Sequence, residues 1–227
     1  MGLFIAIEGG DGSGKRTHSD LLVDYLKEQG KTVYKISFPQ YGSDSAYYAE
    51  KYLNGAYGEA DDVPADLGVL AFAIDRYAAS AQIQSYLSDP NAIVVSDRYM
   101  ASNLAHQGTK VEDSTEARKA FYARSMKTEY DVLGIPRPTM NIVLIMPTSF
   151  AQSNVDKKGA RSYTDKKRDI HEANNTHLDR AKANYEELCR LYPDEFTAIQ
   201  CIDAQGSLRS IEDIQAEIRT LVVRTLN

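Results

Sequence analysis

Five apolar residues, Leu3 to Ile7, run almost directly into Gly9-Gly10-Asp11-Gly12-Ser13-Gly14-Lys15-Arg16-Thr17. This junction constrains the fold more than any other stretch of the chain. Gly9, Gly14 and Lys15 have the G-x-x-x-x-G-K spacing, in which glycine-permitted N–H groups curl around one phosphate while the lysine reaches the next. The competing reading is a glycine-rich turn between a strand and a helix. The flanks favour phosphate: a β-rich run precedes the loop, and Leu21, Leu22, Tyr25 and Leu26 follow at helical spacing, so the loop opens onto a helix N-terminus. Arg16 stands where a Ser or Thr hydroxyl usually meets Mg²⁺, and Thr17 comes one residue later.

The rest of the chain repeats the strand-then-helix rhythm. Thr32 to Phe38, Ala92 to Ser96 closed by Asp97, Ile142 to Met146 and Phe196 to Ile202 read as four further strands, and Pro39 and Pro147 end two of them. Gly30 marks the end of the first helix, and Ser45 to Leu53 reads as a short helix. A longer helix begins at Asp62-Val63-Pro64, with Leu67, Leu70, Ile74, Tyr77 and Ala81 at helical spacing and with Phe72 and Arg76 one turn apart. Helices are also predicted over Asp113 to Leu133, from about Asp169 to Leu191 with Leu178, Ala181, Tyr185 and Leu188 on one face, and over Ser210 to Val223. Alternation of this kind predicts an α/β fold, three layers with a five-stranded parallel sheet between helices, and ligands at the strands' C-terminal edge. Residues 9–17, 39–41, 97–99 and 147 all fall just past strand ends and converge there.

At 227 residues the chain fits one domain with a core of ordinary size. Its formal net charge of −6 argues against a nucleic-acid polymer as partner, because backbone binding needs a broad basic surface whereas a mononucleotide needs only a local cluster. Two cysteines, Cys189 and Cys201, without C-x-x-C spacing, fit a reducing cytoplasm. No stretch approaches the ~20 apolar residues of a spanning helix, so no membrane partner is expected. Residues 153–171 gather Lys157, Lys158, Arg161, Lys166, Lys167 and Arg168 around Gly159, which by composition reads as a solvated loop.

Four motifs together resemble the thymidylate kinases among the nucleoside monophosphate kinases, the actinobacterial kind in particular. They are Ile-Glu-Gly-Gly-Asp-Gly-Ser-Gly-Lys-Arg-Thr from Ile7, Phe-Pro-Gln-Tyr-Gly from Phe38, Phe-Ala-Ile-Asp-Arg from Phe72 and Asp-Arg-Tyr-Met-Ala-Ser-Asn from Asp97. The resemblance implies the P-loop NTPase fold as a single domain over 1–227 with a mobile lid over about 152–172. It also implies transfer of the γ-phosphate of ATP to dTMP with Mg²⁺, and a homodimer. Gly9, Gly10, Asp11, Gly12, Ser13, Gly14, Lys15, Arg16 and Thr17 would then form the ATP site.

The same resemblance makes Arg98, beside Tyr41, the clamp on the acceptor phosphate, for which a guanidinium suits paired oxygens better than an ammonium. It assigns Phe72 to stacking on thymine and Arg76 and Asn103 to the base's polar edge, with Phe38 and Pro39 lining that pocket and His106 and Gln107 near the sugar. Taken alone, Phe72 on a long apolar helix reads as a core aromatic and Asn103 as a helix cap or turn, and only the resemblance reverses this. Asp11, Asp97 and Glu172 are the metal-side carboxylates, and Arg161 and Arg168 the lid cations that meet developing charge. Many members of the family carry an arginine at the position of Gly12, a duty that its absence passes to the lid. His18, His171 and His177 read as structural. Two rival functions fit the loop: a kinase for another nucleoside monophosphate, and a non-catalytic nucleotide-binding module.

Overall fold

The computed structural model describes residues 1–156 and 175–226. Five parallel strands, β1 (Leu3–Gly9), β2 (Thr32–Ser37), β3 (Ala92–Asp97), β4 (Met140–Ile145) and β5 (Phe196–Gln200), form one sheet in the order β2-β3-β1-β4-β5. β1 lies at the centre, flanked by β3 with Ile7 opposite Asp97 and by β4 with Gly9 opposite Leu144. The chain segments after β1, β3 and β4 therefore leave the sheet side by side.

All seven residues of β1 are buried because both faces of the sheet are covered, which is why it reads as a run rather than an alternation. Leu3, Ile5 and Ile7 face α1 (Lys15–Glu28) and α8 (Ile211–Leu226), packing with Leu22, Val23, Leu26, Ile214, Ile218 and Val222. Phe4 and Ala6 face the opposite core, built by α3 (Ala65–Leu87), α4 (Met100–Gln107), α5 (Thr115–Met126) and α7 (Asn175–Leu191). The three-layer α/β/α arrangement expected from the sequence is the one observed. A short helix, α2 (Tyr47–Leu53), preceded by a 3₁₀ turn at Asp44–Ala46, covers one end of α3, and α6 (Thr148–Asp156) follows β4.

The apolar stripe that marked α3 does not face the core. Leu67, Leu70, Ile74 and Tyr77 are 41–58% exposed, and Val69, Ala73, Arg76, Ile83 and Leu87 make the buried side. α3 is apolar nearly all round, so its periodicity marked a helix without revealing which face turns inward. The helix predicted over Asp113 to Leu133 divides in two, with α5 passing at Lys127–Val132 into a π-helical turn that carries Glu129 into the interior. Among the described residues no helix is long and apolar enough to cross a membrane.

Candidate active site

The loop between β1 and α1 has the backbone that its glycines allow. Gly12 and Gly14 have φ of 78° and 89°, a region where an L side chain is strained, and they bend the chain around the N-terminus of a 14-residue helix. Lys15 is buried, with its ammonium donating to Gly10 O at 2.7 Å, which curls it back over the loop. Ser13 is buried, and its hydroxyl has no partner among the described residues. The side chains of Arg16 and Thr17 are exposed on the first turn of α1.

Space is tight at Gly12. A Cβ there would lie 2.1 Å from Ala151 O of α6, and Asn154 Nδ2 donates to Gly12 O at 3.0 Å. The arginine that many members carry at this position does not fit this chain, because α6 occupies its place. Arg161, Arg168 and Glu172, and most of the predicted lid, lie outside the described residues.

Arg98 stands at the end of β3 with φ 67°, the one non-glycine residue with positive φ among those described. Such a backbone costs roughly 1–3 kcal/mol and persists only where the surroundings over-determine it. Here Arg98 N donates to Ile7 O at 2.9 Å, while the next amides, Tyr99 N and Ala101 N, both donate to Glu8 Oε1 at 2.9 Å. Ser102 Oγ donates to Glu8 Oε2 at 2.6 Å. Glu8 is fully buried, and that burial pushes its carboxyl above the ordinary range against the pull of Ser102 and Arg98. Glu8 thus ties the end of β1 to the start of α4. Sequence reasoning gave it no role, although a lone charge closing an otherwise apolar central strand was the available signal.

The turn in Arg98 aims its guanidinium across the loop. Nη1 donates to Ser102 Oγ at 3.1 Å and Nη2 is paired with Asp11. Burial pulls the guanidinium pKa down, but the nearby carboxylates, Asp11 foremost and then Asp97, raise it, and the Tyr41 phenol lies in the same field. Asp11, Arg98, Asp97 and Tyr41 are therefore brought together as the motifs suggested. Tyr41 belongs to a turn fixed by a second acid that sequence reasoning missed. Asp75, buried on α3, accepts from Gln40 N at 2.7 Å and from Ser45 Oγ at 2.6 Å.

The residues that the resemblance assigns to the base also lie close together. Arg76 is 2% exposed and holds Glu129 side-on, with Nε donating to Oε2 at 2.7 Å and Nη2 donating to Oε1. Burial depresses the Arg76 guanidinium, and the Glu129 charge, the hydrogen bonds to it and the Tyr99 and Tyr130 phenols together lift it above the usual value. Asn103 Nδ2 donates to Val69 O at 3.0 Å and to Glu129 Oε1 at 3.2 Å. Phe72, one turn before Arg76, is half-buried and meets Tyr52 edge-to-face at 5.9 Å. Phe38 is buried against Tyr99 at 5.5 Å, and Tyr99 lies 5.7 Å from the Arg76 guanidinium, so one tyrosine ring contacts both. Pro39, buried beside it, follows a cis peptide bond.

Gln107 is fully buried, its Oε1 accepting from Tyr52 OH at 3.4 Å, and the lack of a Cβ on Gly68 admits it: one there would sit 2.1 Å from that oxygen. His106 is buried too, not on a helix surface, and its Nδ1 lies 3.2 Å from His177 Nε2 of α7. Burial, with the neighbouring His177 ring, holds His106 well below the usual histidine range. His18 Nδ1 meets Gln215 Oε1 at 3.1 Å between α1 and α8, a structural place.

A family model described as thymidylate kinase matches residues 7–218, a range that contains every residue placed at the site above. The chain belongs to the thymidylate kinase family. The thymidylate kinase of Mycobacterium tuberculosis is 30% identical over 188 residues, covering 82% of this chain and 85% of that one. That of Bifidobacterium longum subsp. infantis is 27% identical, covering 97% and 88%. The thymidylate kinase structure from Candida albicans matches with a TM-score of 0.69 at 18% identity, over 99% of this chain and 92% of that one, a likeness of fold. This thymidylate kinase family member is accordingly a phosphotransferase, and the two actinobacterial relatives agree with the type its motifs resembled.

Proposed function

We propose that the chain transfers the γ-phosphate of ATP to dTMP, giving dTDP and ADP, and that it does so as one kinase domain with a lid over about 152–172. The observation that carries this reading is the Arg98–Asp11 pair, which ties the glycine loop to the residue that follows β3, five positions before Asn103. A kinase that joins two nucleotides needs a phosphate clamp where the donor and acceptor meet.

Residues 9–17 would hold the donor phosphates, with Lys15 leaving Gly10 O for a phosphate oxygen. Arg98, with Tyr41 beside it, would hold the acceptor phosphate and bring its oxygen into line with the phosphoryl group. Phe72 would stack on the base while Arg76 and Asn103 meet its polar edge, and His106 and Gln107 would close the sugar end. Arg161 and Arg168 would supply lid cations.

Mg²⁺ fits this donor set. The described residues hold no cluster of three or more metal-binding side chains, but Mg²⁺ in such sites keeps most of its waters and takes one or two carboxylates together with the substrate phosphates. Asp11 and Asp97, with Glu172, are the carboxylates for it. When bound, the ion neutralises charge on the bridging phosphates. The exposed Arg16 and Thr17 side chains are not needed in this arrangement.

Two proposals concern the chain's setting. A homodimer through the exposed face of α3 is supported by the contiguous Leu67, Leu70, Ile74 and Tyr77. A reducing cytoplasm is supported by the two unpaired cysteines. Coupled ADP release measured with dTMP, dUMP, dCMP, UMP and dGMP tests the central reading: turnover with dTMP well above the others is expected, and none with dTMP overturns it. Preference for another monophosphate would instead mark the rival kinase.

A further inference from the structure

Asn103 is 3% exposed and its Oδ1 has no hydrogen-bond partner among the described residues. A buried, unpaired amide oxygen is destabilising, so its persistence needs a reason. The reason lies in the other arm of the amide. Nδ2 is held by Val69 O at 3.0 Å and by Glu129 Oε1 at 3.2 Å. Both partners are acceptors only, so turning the amide over would set Oδ1 against two oxygens. The network therefore fixes the amide with its acceptor directed away from Glu129.

Glu129 fixes Arg76 in the same way. Its two oxygens take Nε and Nη2 side-on, leaving the pair without Nη1. One carboxylate thus leaves Asn103 an acceptor and Arg76 a donor. Phe72 is three residues from Val69, whose carbonyl holds Asn103, and four from Arg76, so on α3 it lies on the side that both residues meet. An adjacent acceptor and donor match a pyrimidine with N3–H and a 4-oxo group, and oppose one with a bare N3 and a 4-amino group.

We propose that Glu129 is a positioning residue that sets this kinase's choice of 4-oxo over 4-amino pyrimidine monophosphates by locking the Asn103 amide and the Arg76 guanidinium in one orientation. The inference rests on the thymidylate kinase reading above. Glu129 does not touch the base. It acts through two residues that do, and it presents the same edge to dTMP and dUMP alike.

The test compares wild type with Glu129→Gln on dTMP and dCMP. A glutamine can donate as well as accept, which frees the Asn103 amide to turn. Wild type should favour dTMP over dCMP by about 10²-fold or more in kcat/KM, since a site built to hydrogen-bond an N–H leaves a polar group unpaired when the N–H is missing. Glu129→Gln should cut that ratio by about tenfold or more, mainly through a higher KM for dTMP. A folded Glu129→Gln that keeps the wild-type ratio overturns the inference.

Should that variant fail to fold, wild type decides with the monophosphate of 3-methylthymidine. A loss of about 10²-fold against dTMP is expected, and turnover within about threefold of dTMP overturns the proposed acceptor. A wild-type chain that turns over no dTMP overturns the kinase reading and this inference with it. An active wild type paired with an unchanged Glu129→Gln preference removes the inference alone.

Discussion

The guanidinium of Arg98 is paired with the carboxylate of Asp11, 87 positions away in the chain, although a phosphate is the partner that a clamp needs. Each side chain is about one-fifth exposed, so the proposed exchange of carboxylate for phosphate would take place in a partly dry site where charge-assisted hydrogen bonds are strong. Arg98→Ala should lower kcat/KM for dTMP by about 10²-fold or more, and Arg98→Lys should recover little of it because an ammonium lacks the paired fork. Asp11→Asn should split the constants, with KM for dTMP falling by about two- to fivefold as the competing carboxylate disappears and kcat dropping by about tenfold as a metal-side ligand is lost. Steady-state kinetics of the three variants check this, and a KM for dTMP that is unchanged or higher in Asp11→Asn would count against the competition.

Most of the sheet and the phosphate loop were legible in the sequence because backbone requirements there leave direct marks: strands buried on two faces read as apolar runs, and Gly12 and Gly14 sit where φ is positive. The acids that hold the site in place were not. Glu8, Asp75 and Glu129 act on residues 91, 35 and 53 positions away, and nothing in the local pattern shows which distant donor a carboxylate will meet. α3 was a helix by spacing, but its apolar residues go all round, so the buried face was set by what packs on it. That Phe38 and Arg76 would both pack on the ring of Tyr99 was not legible either, because that contact joins three separate elements.

Gly12 should tolerate no side chain. Its φ of 78° is strained for any other residue, and a Cβ would overlap the carbonyl of Ala151, so Gly12→Ala must push α6 away from the loop. A loss of roughly 2–4 kcal/mol in stability is expected, together with much weaker ATP binding. Gly10→Ala is the control, since a Cβ there meets nothing within 4 Å. Urea unfolding and ATP titration of both variants make the comparison. Equal behaviour of the two would show that α6 does not press on the loop.

The buried imidazoles of His106 and His177 should make the fold sensitive to acid. Burial holds His106 well below the usual range and pushes His177 down to about 4, with Thr109 Oγ1 bonded to the latter's Nδ1 at 3.2 Å. Asp11 and Asp61 pull the two values up, while Lys15, Arg98, Lys110 and Arg180 push them down. Both folded values lie below the ordinary 6.5, so the unfolded chain binds more protons in acid. The stabilising contribution is present above about pH 6.5 and is lost as pH falls towards about 4, by about 3 kcal/mol at most for His177. His177→Gln should flatten that slope, which urea midpoints at pH 7.5 and pH 5 would show. A slope unchanged in the variant would place the acid sensitivity elsewhere.

The exposed side of α3 gives the last expectation. Leu67, Leu70, Ile74 and Tyr77 recur at i, i+3, i+7 and i+10 and so form one stripe along three turns of the helix. The core is complete without them: Val69, Ala73, Ile83 and Leu87 on the other side are less than 9% exposed. A contiguous apolar stripe of this kind is costly in water and suits the same stripe on a second copy, where a two-fold axis brings each residue against its counterpart or its neighbour. Ile74→Glu should therefore turn a dimer into a monomer in sedimentation velocity while changing the monomer's own stability by no more than about 0.5 kcal/mol, as for other surface substitutions. Arg76 sits two residues away on the inward side and Phe72 two residues before, so loosening the dimer should also raise KM for dTMP as α3 gains freedom. A wild-type chain that sediments as a monomer would leave the stripe without this role.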